Sequence, residues 1–322
     1  MKQKFRGRAA TASLFVTLGL LLAACSGSGV DQAATSTEDT AATAECGEVG
    51  IAMHAWVGYT ATANVLTEIA KKEFGCTVNQ VELAEAGVTY DAMEAGSVDV
   101  VVEDWGGGRW QEWVDRGTVV VLGPNGQEGL IGMYVPKWMA DEYPDIIDSA
   151  NLNKYADLFK TSDSGGKGAW LEGPPGYTTI GEKMIAANKL NFKAINTGSE
   201  AALIDAFTDG QKNKKAVIGY WYTPQYFNAQ VELVRINFPT NDWADAEKAS
   251  GLTDYPATPL IKLASKKLMD SGSPFATLLQ NFQWSNDDQN GVAADIEGGM
   301  DPAAAAQKWI DANPDKVKAW LG

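Results

Sequence analysis

An enzyme needs a nucleophile, an acid–base pair or a metal cluster, and the 322 residues supply little of these. His54 is the single histidine. It falls inside a predicted strand without a partner nearby in sequence, so a structural place is expected for it. No G-x-S-x-G, H-E-x-x-H or phosphate-loop motif occurs, and no G-x-G-x-x-G opens a helix. The stretch GGGRW lacks the lysine and hydroxyl that hold phosphate. Glu103 and Asp104 are adjacent acids at a predicted strand end, with no third group to complete an acid–base device. No metal-ligand spacing is visible, and no cofactor is expected.

What stands out is the placing of aromatic residues: 11 Trp, 10 Tyr and 10 Phe. Trp56, Tyr59, Tyr90, Trp105, Trp110, Tyr177, Tyr220, Trp221, Tyr222 and Tyr226 fall at predicted strand ends or in turns. Trp138, Trp309 and Trp320 lie on predicted helices and suit packing. An aromatic face is electronegative and attracts a cation by about 0.5–2 kcal/mol. A quaternary ammonium has no N–H to satisfy and is cheap to desolvate, so a cage of faces suits it. Trp56, Tyr90, Trp105, Tyr177, Trp221 and Tyr222 are the cage candidates. Thr178, Thr179 and Gln225 are candidate polar contacts; the two threonines sit in GPPGYTT, whose prolines and glycines constrain the backbone. A ligand carboxylate would need donors from backbone N–H groups or an uncharged side chain. Arg109 and Arg235 keep open a different small solute, such as an amino acid.

The elements that would position these residues form two α/β units. EVGIAMHAW and CTVNQVEL read as strands, and TATANVLTEIAKKEFG between them as a helix closed by Gly75. A short helix and a strand ending near Glu103 follow. That order indicates a parallel sheet, whose ligands sit beyond the carboxyl ends of its strands. AWVGYT and EDWGGGRW are the turns found there. A second unit starts near GLIGMYVP, with KGAWLEG and KKAVIGYWYTP as strands. SANLNKYADLF, TIGEKMIAANKL and SEAALIDAFTDG read as helices, the last with Ser199 as N-cap. VELVRINFP returns, and the rest reads as helices, PLIKLASKKLMDSG among them. The last of these opens with Asp301 as N-cap and Pro302 at the first helical position. The expectation is an α/β fold of two hinged lobes with a cleft between them. Residues 46–131 and 238–322 would form lobe I and 132–237 lobe II, with crossings near 129–134 and 234–240.

The first 24 residues have a basic start, Lys2, Lys4, Arg6 and Arg8, and then an apolar run. That run is signal-peptide length and short for a membrane span. Leu22-Ala23-Ala24-Cys25 looks like a bacterial lipobox, so residues 1–24 are expected to be removed and Cys25 to carry lipid. Residues 25–45 are small and polar and read as a tether. The whole chain carries −15; without the four leader bases, 22 basic and 41 acidic residues leave −19. Such a surface disfavours nucleic acid. Cys46 and Cys76 open two predicted neighbouring strands, and in an exported domain they are expected to form a disulfide.

AWVGYTATANVL, VTYDAMEAGSVDVVVEDW, EGLIGMYVP, GYWYTPQYF and the closing FQWSNDDQNGVAADIEGGMDPAAAAQKWIDANPDKVKAW give the chain its resemblance to a known family. It is similar to the substrate-binding lipoproteins of ABC importers for glycine betaine, proline betaine, choline and carnitine. The resemblance implies a type II periplasmic-binding-protein-like fold closing on a quaternary amine in an aromatic box. It also implies a permease partner and an extracytoplasmic place on the bacterial membrane. On it, Trp56 and Trp105 keep the tryptophans after the first and third strands. Tyr90 stands where many members have a box tryptophan, and Trp221 or Tyr222 stands for another. Gln225 replaces a histidine that can bind a ligand carboxylate. Glu103 and Asp104 could then complement a cation without a carboxylate, such as choline.

Overall fold

The computed structural model describes residues 46–85, 87–240 and 248–322. The leader, Cys25 and the tether lie outside the described residues.

Nine strands among the described residues form one mixed sheet. They are β1 (Glu48–Met53), β2 (Thr77–Glu82), β3 (Val100–Asp104), β4 (Val119–Pro136), β5 (Gly168–Glu172), β6 (Phe192–Asn196), β7 (Gly219–Thr223), β8 (Leu233–Arg235) and β9 (Ala257–Ser265). Their order is β2-β1-β3-β9-β4-β7-β5-β6, with β8 also on β4. At one end β1 pairs in parallel with β2 and β3. At the other β5 pairs in parallel with β6 and β7. Each end is thus a strand–helix–strand–helix–strand unit whose first strand is central. We call the β1–β3 end with β9 the first half, and the β5–β7 end the second half.

The 18-residue β4 joins them. Val119 to Leu130 runs antiparallel to β9, and Leu130 to Tyr134 antiparallel to β7. Leu130 is paired on both sides, with Ala257 and with Thr223. β4 therefore changes partner at Leu130. The returning chain packs on the second half. Phe238 lies 6.2 Å from the Trp170 ring, and Asn188 Nδ2 donates to the Gly251 carbonyl at 2.8 Å.

Local sequence explains the main elements. VVVED in β3 is buried throughout, as a central strand covered on both faces must be. The helix Val57–Phe74 ends at Gly75 (φ 66°), a left-handed stop that returns its N–H to the last turn. Ser199 caps the helix Glu200–Asn213, and Asp301 caps Pro302–Ala312 with Pro302 at its start. Cys46 and Cys76 are disulfide-bonded, with Cα atoms 4.9 Å apart. The parallel register, Glu48 opposite Thr77, brings them together.

One expected helix is a strand. In PLIKLASKKLMDSG, residues 259–265 belong to β9, which begins at Ala257, and only Lys266–Asp270 is helical. β9 sits between β3 and β4, and a short apolar run there is buried on both faces, so periodicity alone does not separate strand from helix. The buried Lys262 survives in it because Nζ donates to the carbonyls of Gln280 and Phe282 at 2.9 and 2.6 Å. SANLNKYADLF breaks into single turns rather than one helix.

Candidate functional site

The carboxyl ends of β1, β3, β5 and β7 converge, and aromatic rings stand at each. Trp56 follows β1 in extended conformation (φ −138°, ψ 148°), just before the helix Val57–Phe74. Trp105 follows β3. The indole N–H groups of Trp56 and Trp105 donate to the same oxygen, Glu103 Oε1, at 3.0 and 2.9 Å. Glu103 Oε2 accepts from Gln289 Nε2. Burial pushes the Glu103 carboxyl up to about 7, and these donors hold it from rising further. Glu103 is therefore not a wall of the cavity but the fixture from which two walls hang.

Trp105 is seated by glycines. Gly106, Gly107 and Gly108 all have positive φ, which GGG allows at little steric cost. On β4 a Cβ at Gly129 would collide with the Trp105 ring. His54 braces the other indole: its ring is 5.4 Å from Trp56 and 4.6 Å from Tyr59. Its Nε2 lies 3.0 Å from Thr89 Oγ1, whose hydrogen goes to the Ala84 carbonyl, so the imidazole is the donor. Burial lowers its pKa to about 4 and keeps it neutral. The structural place expected for His54 is the one it has.

The second half supplies tyrosines. Tyr177 comes from the loop after β5, and its hydroxyl donates to the Ala55 carbonyl of the first half at 3.3 Å. Tyr220 and Tyr222 alternate with Trp221 along β7, so the two tyrosines share one face of the sheet.

The rings meet at near right angles. Trp56 and Tyr177 are 5.7 Å apart at 83°, Tyr177 and Tyr222 6.1 Å at 75°, and Tyr222 and Trp105 5.4 Å at 88°. Glu103 closes the circuit by holding Trp105 and Trp56 together. Tyr220 adjoins Tyr177 and Tyr222 at 6.0 and 6.2 Å. Perpendicular neighbours are the corners of a box. The small cavity they bound is lined by these five rings with Glu85, Ile131 and Thr178.

Two lining polar atoms have no hydrogen-bond partner, Glu85 Oε2 and Thr178 Oγ1. The Glu85 side chain is 10% exposed, with Arg109 Nη2 3.8 Å away. Burial pushes this carboxyl up to about 8; Arg109 opposes the shift, and Asp104 and Glu103 add to it. When ionised, a buried acid against aromatic faces, held only by Arg109 at 3.8 Å, favours a positive guest.

Of the residues expected from sequence, Trp56, Trp105, Tyr177, Thr178 and Tyr222 line this cavity. Tyr90, Trp221, Thr179 and Gln225 do not. Tyr90 donates its hydroxyl to Asp104 and packs 5.1 Å from Trp113, behind the glycine turn. Asp104 in turn accepts the Gly106 N–H at 2.8 Å. Trp221 points to the opposite face of β7, 5.6 Å from Phe207 and 5.3 Å from Phe227, with Nε1 donating to Asn228. Thr179 bonds to Glu172. Gln225 donates to Glu200 and accepts the Phe227 N–H, both at 2.8 Å. Arg109 and Arg235 are also outside the lining; Arg235 pairs with Asp254 at 2.9 Å and donates to the Ile131 carbonyl. Sequence reasoning placed Tyr220 among the strand-end aromatics but not among the cage candidates, and did not pick out Ile131 or Glu85. Strand alternation would have found Tyr220, because choosing Tyr222 selects its partner two residues away. Among the described residues no group of side chains could hold a metal ion, and no helix is long and apolar enough to cross a membrane.

A two-part α/β sheet with a ring-lined cavity at its strand ends is the architecture of a two-lobed substrate-binding protein. The chain belongs to the family described as the substrate binding domain of the ABC-type glycine betaine transport system, whose model matches residues 47–312. Its members are transport receptors, not enzymes. The chain is 28% identical over 126 residues to the glycine betaine/carnitine transport binding protein of Listeria monocytogenes, a match spanning 39% of this chain and 38% of that one. It is 24% identical over 307 residues to the trimethylamine N-oxide-binding protein of Pelagibacter ubique, spanning 91% and 94%. Among solved structures, an ABC-transporter choline-binding protein in complex with choline superposes with a TM-score of 0.70 at 19% identity, over 86% of this chain and 92% of that one. At that identity the likeness speaks for the fold.

Proposed function

We propose that this chain is the extracytoplasmic solute receptor of an ABC importer, capturing a quaternary ammonium compound of the glycine betaine, choline or carnitine kind. The observation that carries this reading is the circuit Trp56–Tyr177–Tyr222–Trp105, whose corners are near right angles. A methylated ammonium inside it meets a π face on each side, worth about 0.5–2 kcal/mol per face, with no N–H left unsatisfied. Thr178 is the contact for the polar tail, and Glu85 is the acid that complements the cation. The two relatives support the reading, since glycine betaine, carnitine and trimethylamine N-oxide all carry a trimethylated nitrogen.

The rings belong to both halves, so a guest favours the form in which the halves meet. Of the expected division, residues 46–131 with 238–322 against 132–237, we keep the first crossing, hinged where β4 changes partner. The described contacts of Phe238 and Gly251 move the return crossing toward Ala257. The closed face would be what the permease reads. Cys25, acylated, would hold the receptor at the membrane, which mass spectrometry of the N-terminal peptide tests.

A thermal-shift panel of glycine betaine, choline, carnitine, trimethylamine N-oxide and amino acids tests the reading on protein lacking residues 1–25. The methylated amines raise the melting temperature. A rise with amino acids alone would overturn the proposal.

A further inference from the structure

The helix Val57–Phe74 starts at the edge of the box without a cap of its own. Trp56 at its N-cap makes no side-chain cap bond, and its first turn holds no acid. A helix start leaves N–H groups unsatisfied and bears partial positive charge. The acceptor comes from the other half. Glu200 Oε2 accepts the Val57 N–H at 3.3 Å, across 143 residues of sequence. Glu200 Oε1 accepts the hydroxyl of Tyr222, a wall of the box, and Gln225 Nε2 at 2.8 Å. Glu200 also opens its own helix, Glu200–Asn213, one residue after the Ser199 cap. Its carboxylate therefore lies between two helix starts, one from each half.

We propose that Glu200 is a positioning residue that couples ligand capture to closure. It latches the helix Val57–Phe74 of the first half while fixing Tyr222 of the second. When the halves part, the Val57 N–H loses this acceptor, and the carboxylate that fixes Tyr222 within the second half is no longer held from the first. A ligand seated against Tyr222 and the closing of the halves thus stabilise each other through one carboxylate. This rests on the proposed binding reading, because Tyr222 is taken there as a wall.

Two variants separate the two arms. Tyr222→Phe keeps the ring and deletes the hydroxyl bond. Val57→Pro deletes the N–H that Glu200 accepts, at the first helical residue, where proline is tolerated. The extended Trp56 before it also suits a following proline. Choline and tetramethylammonium are titrated by calorimetry into the wild type, Glu200→Ala, Val57→Pro, Tyr222→Phe and the Glu200→Ala/Val57→Pro pair. Spin labels on the two halves report the closed fraction, and melting temperature reports folding. We expect Glu200→Ala and Val57→Pro each to weaken binding about tenfold and to lower the closed fraction. Combining them should cost less than the product of the single effects, since they break the same bond. Full affinity and an unchanged closed fraction in folded Glu200→Ala overturn the proposal. So does an effect of Glu200→Ala that Tyr222→Phe reproduces whole while Val57→Pro has none. If the wild type binds neither probe, it is the quaternary ammonium reading that fails, and the label distances still test the latch.

Discussion

Strand β7 places two tyrosines and a tryptophan side by side with opposite tasks, and the difference can be measured. Opposite β4, Tyr222 pairs with Ile131, Trp221 with Gly132 and Tyr220 with Met133. Tyr220 and Tyr222 face the cavity, and Trp221 packs into Phe207 and Phe227 on the other side. Tyr222→Ala removes one π face, about 0.5–2 kcal/mol. It also frees its two perpendicular neighbours, Trp105 and Tyr177, so the upper end applies, roughly 30-fold in Kd. Trp221→Ala empties a fully buried indole site, about 3–5 kcal/mol of stability. Trp221→Phe is the milder companion that keeps the protein folded. Calorimetry with choline and denaturant unfolding, run on all three, should separate the two faces. Tyr222→Ala, which also empties a buried site, loses affinity as well as stability, and the Trp221 variants lose stability with Kd within about twofold. A folded Trp221→Phe that binds tenfold more weakly, or a Tyr222→Ala that binds like the wild type, would refute the assignment of faces.

Other outcomes follow from the same geometry. Gly129→Ala drives a methyl into the Trp105 ring. It should weaken choline binding at least fivefold, by calorimetry, and quench or shift the tryptophan fluorescence change on binding. Reducing the Cys46–Cys76 disulfide opens a loop of 30 residues and should lower unfolding free energy by about 3–4 kcal/mol, with Kd unchanged in protein that stays folded. Burial raises Glu85 to about 8 and Glu103 to about 7, so the empty folded protein holds protons that the unfolded chain has lost above about pH 4.3. Stability without ligand should therefore fall as pH rises from about 4.3 to 8. A cationic guest favours the ionised acids, so choline affinity should rise over pH 6 to 8 and level off above. Calorimetry in buffers of different ionisation enthalpy should detect the released protons, and Glu85→Gln should flatten the profile.

Much of the fold was legible because it is local. Parallel units announce themselves by strand–helix alternation, and Gly75, Ser199 and Asp301 act as the stop and caps their chemistry implies. β9 was not legible. A central strand and a buried helix segment share the same apolar run, and only the neighbours β3 and β4 decide between them. Within the site, Trp56, Trp105 and Tyr177 were visible because they lie in the turns and loop that follow strand ends. Tyr90 and Trp221 misled for a single reason: aromatic type says nothing about which way a side chain faces. For Trp221 the period of two along β7 supplies that direction; for Tyr90, only the Asp104 contact does. Glu103 was visible as an acid at a strand end, but its task of holding two indoles depends on a 47-residue separation that no spacing rule encodes. Glu85 lies on a turn after β2, where nothing in its neighbours marks it, and its place beside the rings exists only once the two halves meet.

The claim beneath all of this is that π faces from both halves hold a positive, methyl-capped nitrogen. Choline and its neutral isostere 3,3-dimethylbutan-1-ol have the same shape and the same hydroxyl and differ in the charge. Calorimetric affinities for the pair, in the wild type and in Glu85→Gln so that the rings act without that carboxylate, test the claim most directly. A preference for choline of about tenfold or more in both proteins is the expected result. Equal affinity for the two compounds in Glu85→Gln would contradict the account.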